Sequence, residues 1–350
     1  MKVLFLSTGI GLALATRLSQ EGHEVRVFIH NDYSDTGDGL YERVSAWKPY
    51  VNRSDLVLAD DPIFGYKEVR FEDAPTRTLG LSRLFTLANR SRGNRRSLLE
   101  LTEISISDTK SEYSVEAWWN GRKWCTPFLL IKYHKELISD TVGPSLGAMV
   151  TVCKTLEDVP PTIFEGFRKL KPLFEKNSYR GPVRLDFDGT SITDIYAGFS
   201  FDNTEAMLEG VQEPPMDILL ELAGGTRSDL NLIPGYYVAI RLQHIGWPTT
   251  TDYRIYGLVD ANLKHCGLSN VLIKRGVHYC SQKFGPILKV TARGEQVKDA
   301  FARASRTVAN LNIENICYRA DLVTKYSKTK YTELDSILDK WKVTKAPNPK

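Results

Sequence analysis

Paired cysteines are what this sequence most conspicuously lacks. Cys125, Cys153, Cys266, Cys280 and Cys317 are scattered, and no C-x-x-C step occurs among them. That spacing argues against a zinc site or a disulfide framework and fits a reducing compartment. No stretch approaches the roughly 18 consecutive apolar residues of a membrane-spanning helix. The apolar start from Met1 to Leu6 is too short for the core of a secretory signal and runs into glycine-rich turn chemistry. The expectation is a cytoplasmic protein with no membrane partner, resident in host cytoplasm if phage-encoded. Internal repeats and low-complexity tracts are also missing, which removes solenoid and disordered classes. What remains is a chain of 350 residues, 42% hydrophobic and 25% charged, with a formal net charge of +4. It is long enough for two or three packed units. Its mild basicity tolerates a polyanionic partner without demanding one.

The pattern begins as strand, glycine turn, helix. An apolar run from Val3 to Leu6 meets Ser7-Thr8-Gly9-Ile10-Gly11, then an amphipathic stretch from Leu12 to Gln20. Strand-like segments at Glu24 to His30 and Asp55 to Ala59 extend this into an open parallel α/β sheet. Arg90, Arg92, Arg95 and Arg96 cluster around Gly93, and Leu98 to Thr102 reads as a helix end. The arginines suit either a solvated helix end and loop or a patch that contacts the phosphates of a nucleic acid. Tyr113 to Trp119 and Trp124 to Lys132 flank Asn120-Gly121, a strong hairpin signal. Pro160 to Lys176 predicts a helix with Ile163, Phe167, Leu170 and Phe174 on one face, followed by strands at Val183 to Phe187 and Ile192 to Tyr196. A helix is expected at Met216 to Leu222, strands at Tyr236 to Leu242, Val271 to Ile273 and Ile287 to Thr291, and a long helix at Gln296 to Leu311.

Several of these segments carry a resemblance. Gly285 to Gly294 reads G-P-I-L-K-V-T-A-R-G and is followed by the long helix and Cys317-Tyr318-Arg319-Ala320-Asp321-Leu322. Glu112 to Val115, Asn120-Gly121, His134-Lys135 and the run S-D-T-V-G-P-S-L-G-A-M from Ser139 to Met149 form an earlier block. Tyr179-Arg180-Gly181 and Leu219 to Gly225 lie between the two. In order and spacing, with a one-residue slip around Asp140, these resemble the phosphoribosylamine–glycine ligase family of the ATP-grasp superfamily. The resemblance implies an α/β fold with five parts. These are an amino-terminal open parallel-sheet domain (1–78), a short linker (79–110), a truncated ATP-grasp-like α+β core (111–225), a carboxy-terminal mixed-sheet domain (226–330) and a terminal helix or tail (331–350).

The chain departs from the family in two places. Residues 79–110 stand where the family has its small ATP-binding subdomain, and 32 residues are too few for a unit of that kind, since compact domains rarely fall below about 50. Where the family carries its metal-binding L-E-F-N, this chain has Thr193-Asp194-Ile195-Tyr196. ATP is therefore not expected as a cofactor. Asp186 and Asp194, with Asp188 nearby, are the residues left to hold Mg²⁺ through hard oxygen ligands.

The resemblance assigns the remaining sites. Ser7, Thr8, Gly9 and Gly11 would cradle a phosphate with backbone N–H groups. Lys135, Thr141, Gly143, Ser145, Gly147 and Arg319 would line the substrate pocket. Asp140 and Ser145 would position an amino acid, and His134 would accept its ammonium proton. The function implied is an ATP-independent transferase that joins the amine of glycine or another amino acid to a preactivated phosphorylated acceptor. A pyrophosphorylated 5-hydroxymethyl pyrimidine in phage DNA would suit the arginine cluster. Two alternatives stand beside it: an ATP-dependent amide-forming ligase, and a non-catalytic nucleotide or DNA binder.

Overall fold

The computed structural model describes the chain except for residues 10, 31–34, 61–76, 81–103, 106, 140–141, 143–144, 245–251, 282–285 and 345–350. The first sheet is parallel and runs β3-β2-β1-β4-β5, from β1 (Lys2–Ser7), β2 (Glu24–Ile29), β3 (Glu42–Arg43), β4 (Leu56–Ala59) and β5 (Arg77–Leu79). Helix α1 (Leu12–Gln20) buries Leu12, Leu14, Ala15 and Leu18 against it. Gly9 turns the chain at φ +98°, a left-handed conformation that suits glycine.

Gly11 is required for a different reason. A Cβ there would come within 2.4 to 2.8 Å of three ring carbons of Phe201, which packs over the helix start. Gly11→Ala is expected to cost about 1–3 kcal/mol by overpacking, read as a lower urea midpoint with the slope unchanged.

The second sheet is larger and runs β10-β9-β6-β7-β8-β11-β16-β13. Its strands are β6 (Tyr113–Trp119), β7 (Trp124–Glu136), β8 (Ser145–Leu156), β9 (Gly181–Phe187), β10 (Ile192–Ala197), β11 (Tyr236–His244), β13 (Cys266–Leu268) and β16 (Pro286–Gly294). A short strand β17 (Ile316–Cys317) also pairs with β11, and β12 (Tyr253–Arg254), β14 (Val271–Lys274) and β15 (Val277–Cys280) make a third, small sheet. The hairpin stands where Asn120-Gly121 predicts it. The Asn120 side-chain oxygen accepts the N–H groups of Arg122 and Lys123 at 2.8 Å each, and Trp119 lies opposite Trp124. β7 continues beyond the predicted Lys132 to Glu136, because β8 pairs with it as far as Ser145.

Side chains alternate across a strand, so the large sheet has two different faces. On one, Val115, Ala117, Leu130, Val152, Val238 and Val290 pack against α2 (Pro161–Lys176) and against the helix Val297–Asn310. Phe167 of α2 sits 4.8 Å from the Trp124 ring centroid, on the stripe predicted from Ile163 to Phe174. On the other face, Trp118, Leu129, Ile131, Cys153 and Ala239 join the core of the first sheet through Phe199, Phe201 and the helix α4 (Pro215–Gly224). That second face also carries the buried Glu116, Asp186, Arg241 and Lys289. No helix among the described residues is long and apolar enough to cross a membrane.

Candidate functional site

Strand register builds the site. Across β6, β9 and β10, Glu116 lies opposite Arg184 and Arg184 opposite Tyr196, while in the next row Ser114 lies opposite Asp186 and Asp186 opposite Asp194. Arg184 grips Asp186 through Nε at 2.7 Å and through a second nitrogen at 3.3 Å, and Ser114 donates to the same carboxylate at 2.6 Å. The guanidinium also lies 5.4 Å from the Tyr133 ring centroid and 5.1 Å from that of Tyr196. A planar cation held by a bidentate carboxylate and two aromatic faces is strongly fixed in orientation.

Helix α3 (Phe201–Met207) closes the site from above. Just before it, Ser200 accepts a hydrogen bond from Arg184 at 2.9 Å. Asn203 accepts from Tyr133 at 2.7 Å and donates to Glu116 at 2.8 Å, and the Trp118 indole N–H donates to the other Glu116 oxygen at 3.0 Å. Glu116 is 1% exposed. Burial pushes its carboxyl up to about 7, against the pull of the Asn203 and Trp118 hydrogen bonds.

A second charged group continues the face. Lys289 contacts Asp202 at 3.0 Å and Glu205 at 3.2 Å, and Arg241, opposite Lys289 in register, contacts Asp202 at 2.9 Å. Burial works to raise the Asp202 carboxyl, but Lys289 and Arg241 outweigh it and hold it well below the usual carboxylate range. Glu205 goes the other way: burial raises it, with Lys289 only partly opposing. Gly147 has its place here, since at φ +85° it lets the Arg241 guanidinium lie over the backbone of β8.

The sequence-predicted residues divide around this face. The glycine turn is already occupied by an anion from within the chain. Asp60, at the end of β4, accepts the Ser7 hydroxyl, the Thr8 N–H at 2.8 Å and the Gly11 N–H at 3.0 Å. Gly9 N–H goes to Ser7 Oγ at 2.9 Å. The expected phosphate cradle is therefore corrected: a carboxylate at the helix start satisfies those donors and would repel a second anion.

His134 points through the opposite face of the sheet. It lies 2.9 Å from the Tyr326 hydroxyl, which itself donates to Glu333 at 2.6 Å. That places it against the helix that carries Tyr326, on the opposite side of the sheet from Arg184. Arg319 is also structural here, with two bonds of 2.8 Å to Asp321 and one of 3.0 Å to the Glu136 carbonyl. Lys135 lies on the polar face, with its ammonium 5.8 Å from the Tyr133 ring centroid. Ser145 lies opposite Glu136 at the start of β8. Asp140, Thr141 and Gly143 lie outside the described residues, as do Arg90, Arg92, Arg95 and Arg96.

The Mg²⁺ assignment to Asp186 and Asp194 also needs correction. Among the described residues no three His, Cys, Asp or Glu groups converge on a cation position. Asp186 already has a full guanidinium, so the residues present do not fit the ion. The residues that sequence reasoning passed over are Asp60, Glu116, Tyr133, Arg184, Asp202, Arg241 and Lys289. For the strand residues Glu116, Arg184, Arg241 and Lys289 the local signal is charge within otherwise apolar strands, as in R-L-D of β9; Asp60, Tyr133 and Asp202 carry no such signal.

No protein-family model matches the chain. Among solved structures, phosphoribosylamine–glycine ligase from Thermotoga maritima superposes with a TM-score of 0.68 at 16% identity, covering 92% of this chain and 100% of that one. Urea carboxylase from Kluyveromyces lactis gives 0.59 at 10% identity over 94% of this chain and 31% of that one. Pyruvate carboxylase from Rhizobium etli also gives 0.59 at 10% identity, over 95% of this chain and 38% of that one. The chain spans about a third of the length of these two carboxylases. All three are enzymes, and at these identities the likeness establishes the fold: α/β, with a parallel-sheet amino-terminal domain and an ATP-grasp-like body.

Proposed function

We propose that this chain is an ATP-independent transferase that joins the amine of an amino acid, glycine foremost, to a preactivated phosphorylated acceptor. The observation that carries the reading is Arg184. Where the polar face brings Asp186 and Asp194 together on neighbouring strands, the group between them is a guanidinium fixed by Asp186, Ser200 and two tyrosine rings and not a set of converging carboxylates, and in this reading a departing anion competes with Asp186 for it. A preorganised cation of this kind stabilises negative charge that develops on a departing phosphate or pyrophosphate. In the reaction the amine nitrogen forms a bond to the acceptor carbon. The carbon–oxygen bond breaks, and its electron pair leaves on the pyrophosphate oxygen. The surplus ammonium proton passes to a carboxylate on the same face, for which half-buried Asp194 is suited. Neither the glycine turn nor His134 has a part in this version. The acceptor we name is a pyrophosphorylated 5-hydroxymethyl pyrimidine in phage DNA, with Arg90, Arg92, Arg95 and Arg96 on the phosphate backbone.

The likeness to phosphoribosylamine–glycine ligase favours a second reading, an ATP-dependent ligase. One experiment separates them. The full chain is incubated with glycine and an oligonucleotide bearing the pyrophosphorylated base, with a chelator and without ATP, and products are read by mass spectrometry. The transferase predicts a glycine adduct and released pyrophosphate, with Arg184→Lys slower by about 100-fold. Product that appears only with Mg-ATP and a carboxylate acceptor would establish the ligase, and no product under either condition would leave the binder.

A further inference from the structure

A second recess lies away from the Arg184 row, between α1 and β13. Its volume is about 210 Å³, far above the roughly 15 Å³ that one water requires. Its inner end is acidic. Glu205 is 4% exposed, and its Oε1 meets Lys289, but Oε2 has no hydrogen-bond partner among the described residues. Gly267 makes room for that oxygen, because a Cβ there would collide with the Glu205 carboxylate. Beside it, Glu209 accepts the Thr291 hydroxyl at 2.6 Å and holds His265 Nδ1 at 2.9 and 3.0 Å. At the outer end stand Arg17 and exposed Lys264, joined by a 2.9 Å bond from the Arg17 guanidinium to the Lys264 carbonyl; the Arg17 Nε pairs with Glu21 at 2.9 Å, so of the two cations Lys264 is the one that a ligand carboxylate meets first.

We infer that this recess is a binding site for a small zwitterion, with its ammonium inward on Glu205 and Glu209 and its carboxylate outward on Arg17 and Lys264. A buried acceptor without a donor costs free energy that an ammonium ligand would recover, and a charge-assisted bond is the strongest way to recover it. Burial raises the Glu205 carboxyl, so affinity should increase with pH as that group ionises. The volume admits a small amino acid and the charge order fixes its direction. This inference does not depend on the transferase reading and stands for any reaction, or none, on the Arg184 face.

The test is a calorimetric titration of the full chain with glycine, β-alanine and 4-aminobutyrate, against methylammonium and acetate as single-charge controls. One member of the series should bind with one-to-one stoichiometry, and each control at least about 10-fold more weakly. Glu205→Gln should weaken that binding by about 10-fold or more. Gln20→Trp, at the exposed mouth where folding is indifferent to the change, should abolish it. No heat from any of the three up to about 10 mM, or unchanged binding in Gln20→Trp, would overturn the proposal. Because no acceptor or turnover is involved, failure here is separate from failure of the transferase assay.

Discussion

Replacing Arg184 by methionine should lower the unfolding free energy by about 3 kcal/mol or more, one of the largest effects expected of any single polar substitution in this protein. Methionine keeps the apolar stem between the Tyr133 and Tyr196 rings but removes the charge. Asp186, buried and 7% exposed, is then left with the Ser114 hydroxyl in place of a two-point ion pair. Removing one partner of a buried pair is costly because it strands the other. The double variant Arg184→Met with Asp186→Asn should regain much of the loss, since the stranded charge goes too. Urea unfolding of the two single variants and the double gives the coupling directly. An Arg184→Met variant within about 0.5 kcal/mol of the parent would mean that Asp186 reaches solvent in solution and that the guanidinium is not held as described.

Glu116 provides the second large effect, and its sign follows from linkage. Its carboxyl moves from an ordinary value of 4.5 to about 7 on folding, so between those values the folded chain binds more protons than the unfolded one. Stability supplied by this group is complete below the unfolded value and is lost as pH rises through the folded one, by about 3 kcal/mol in all. Glu116→Gln should remove that component. Glutamine also places an N–H₂ against either the Trp118 indole or the Asn203 amide, which lowers its baseline at every pH. The readout is therefore the slope and not the absolute value. Denaturation curves across pH 4.5 to 7 should converge as pH rises, because the parent loses the Glu116 contribution and the variant has none to lose. Parallel curves would show that Glu116 titrates alike in both states.

Chemistry on the Arg184 face should respond to the same residues in another way. Asn203 and Tyr133 connect Glu116 to Ser200 and so to Arg184 through hydrogen bonds of 2.7 to 3.1 Å. Protonation of Glu116 near neutral pH thus alters the charge directly beneath the guanidinium. A transferase that uses Arg184 to stabilise a leaving group would gain from a neutral Glu116 and lose from an ionised one.

Local rules were enough for the parts of this protein that are local. An apolar run, a glycine turn and an amphipathic stretch become β1 and α1 because each needs only its own periodicity. Asn120-Gly121 makes its hairpin because the side-chain oxygen of Asn120 closes the turn within three residues. The stripe of Ile163, Phe167, Leu170 and Phe174 lies on one side of a helix wherever that helix packs. The fold class was legible from such segments taken in order.

The site was legible only in part, because its pairings join residues far apart in the chain. No local rule brings Asp60 to a turn that precedes it by about fifty residues, yet its carboxylate turns an expected phosphate cradle into a closed cap. His134 reads as a base in sequence, and the extension of β7 sends it through the sheet to Tyr326 instead. Asp186 and Asp194 do become neighbours, as a metal reading requires, but Arg184 arrives on the same face two residues away and takes the carboxylate. By itself the sequence determined the strands, helices and turns and the class of sheet they make, since backbone geometry and side-chain period act over a few residues. Tertiary structure alone decided which charges meet, because the choice between solvent, a metal and an internal partner depends on what the opposite strand and the covering helix bring within about 3 Å.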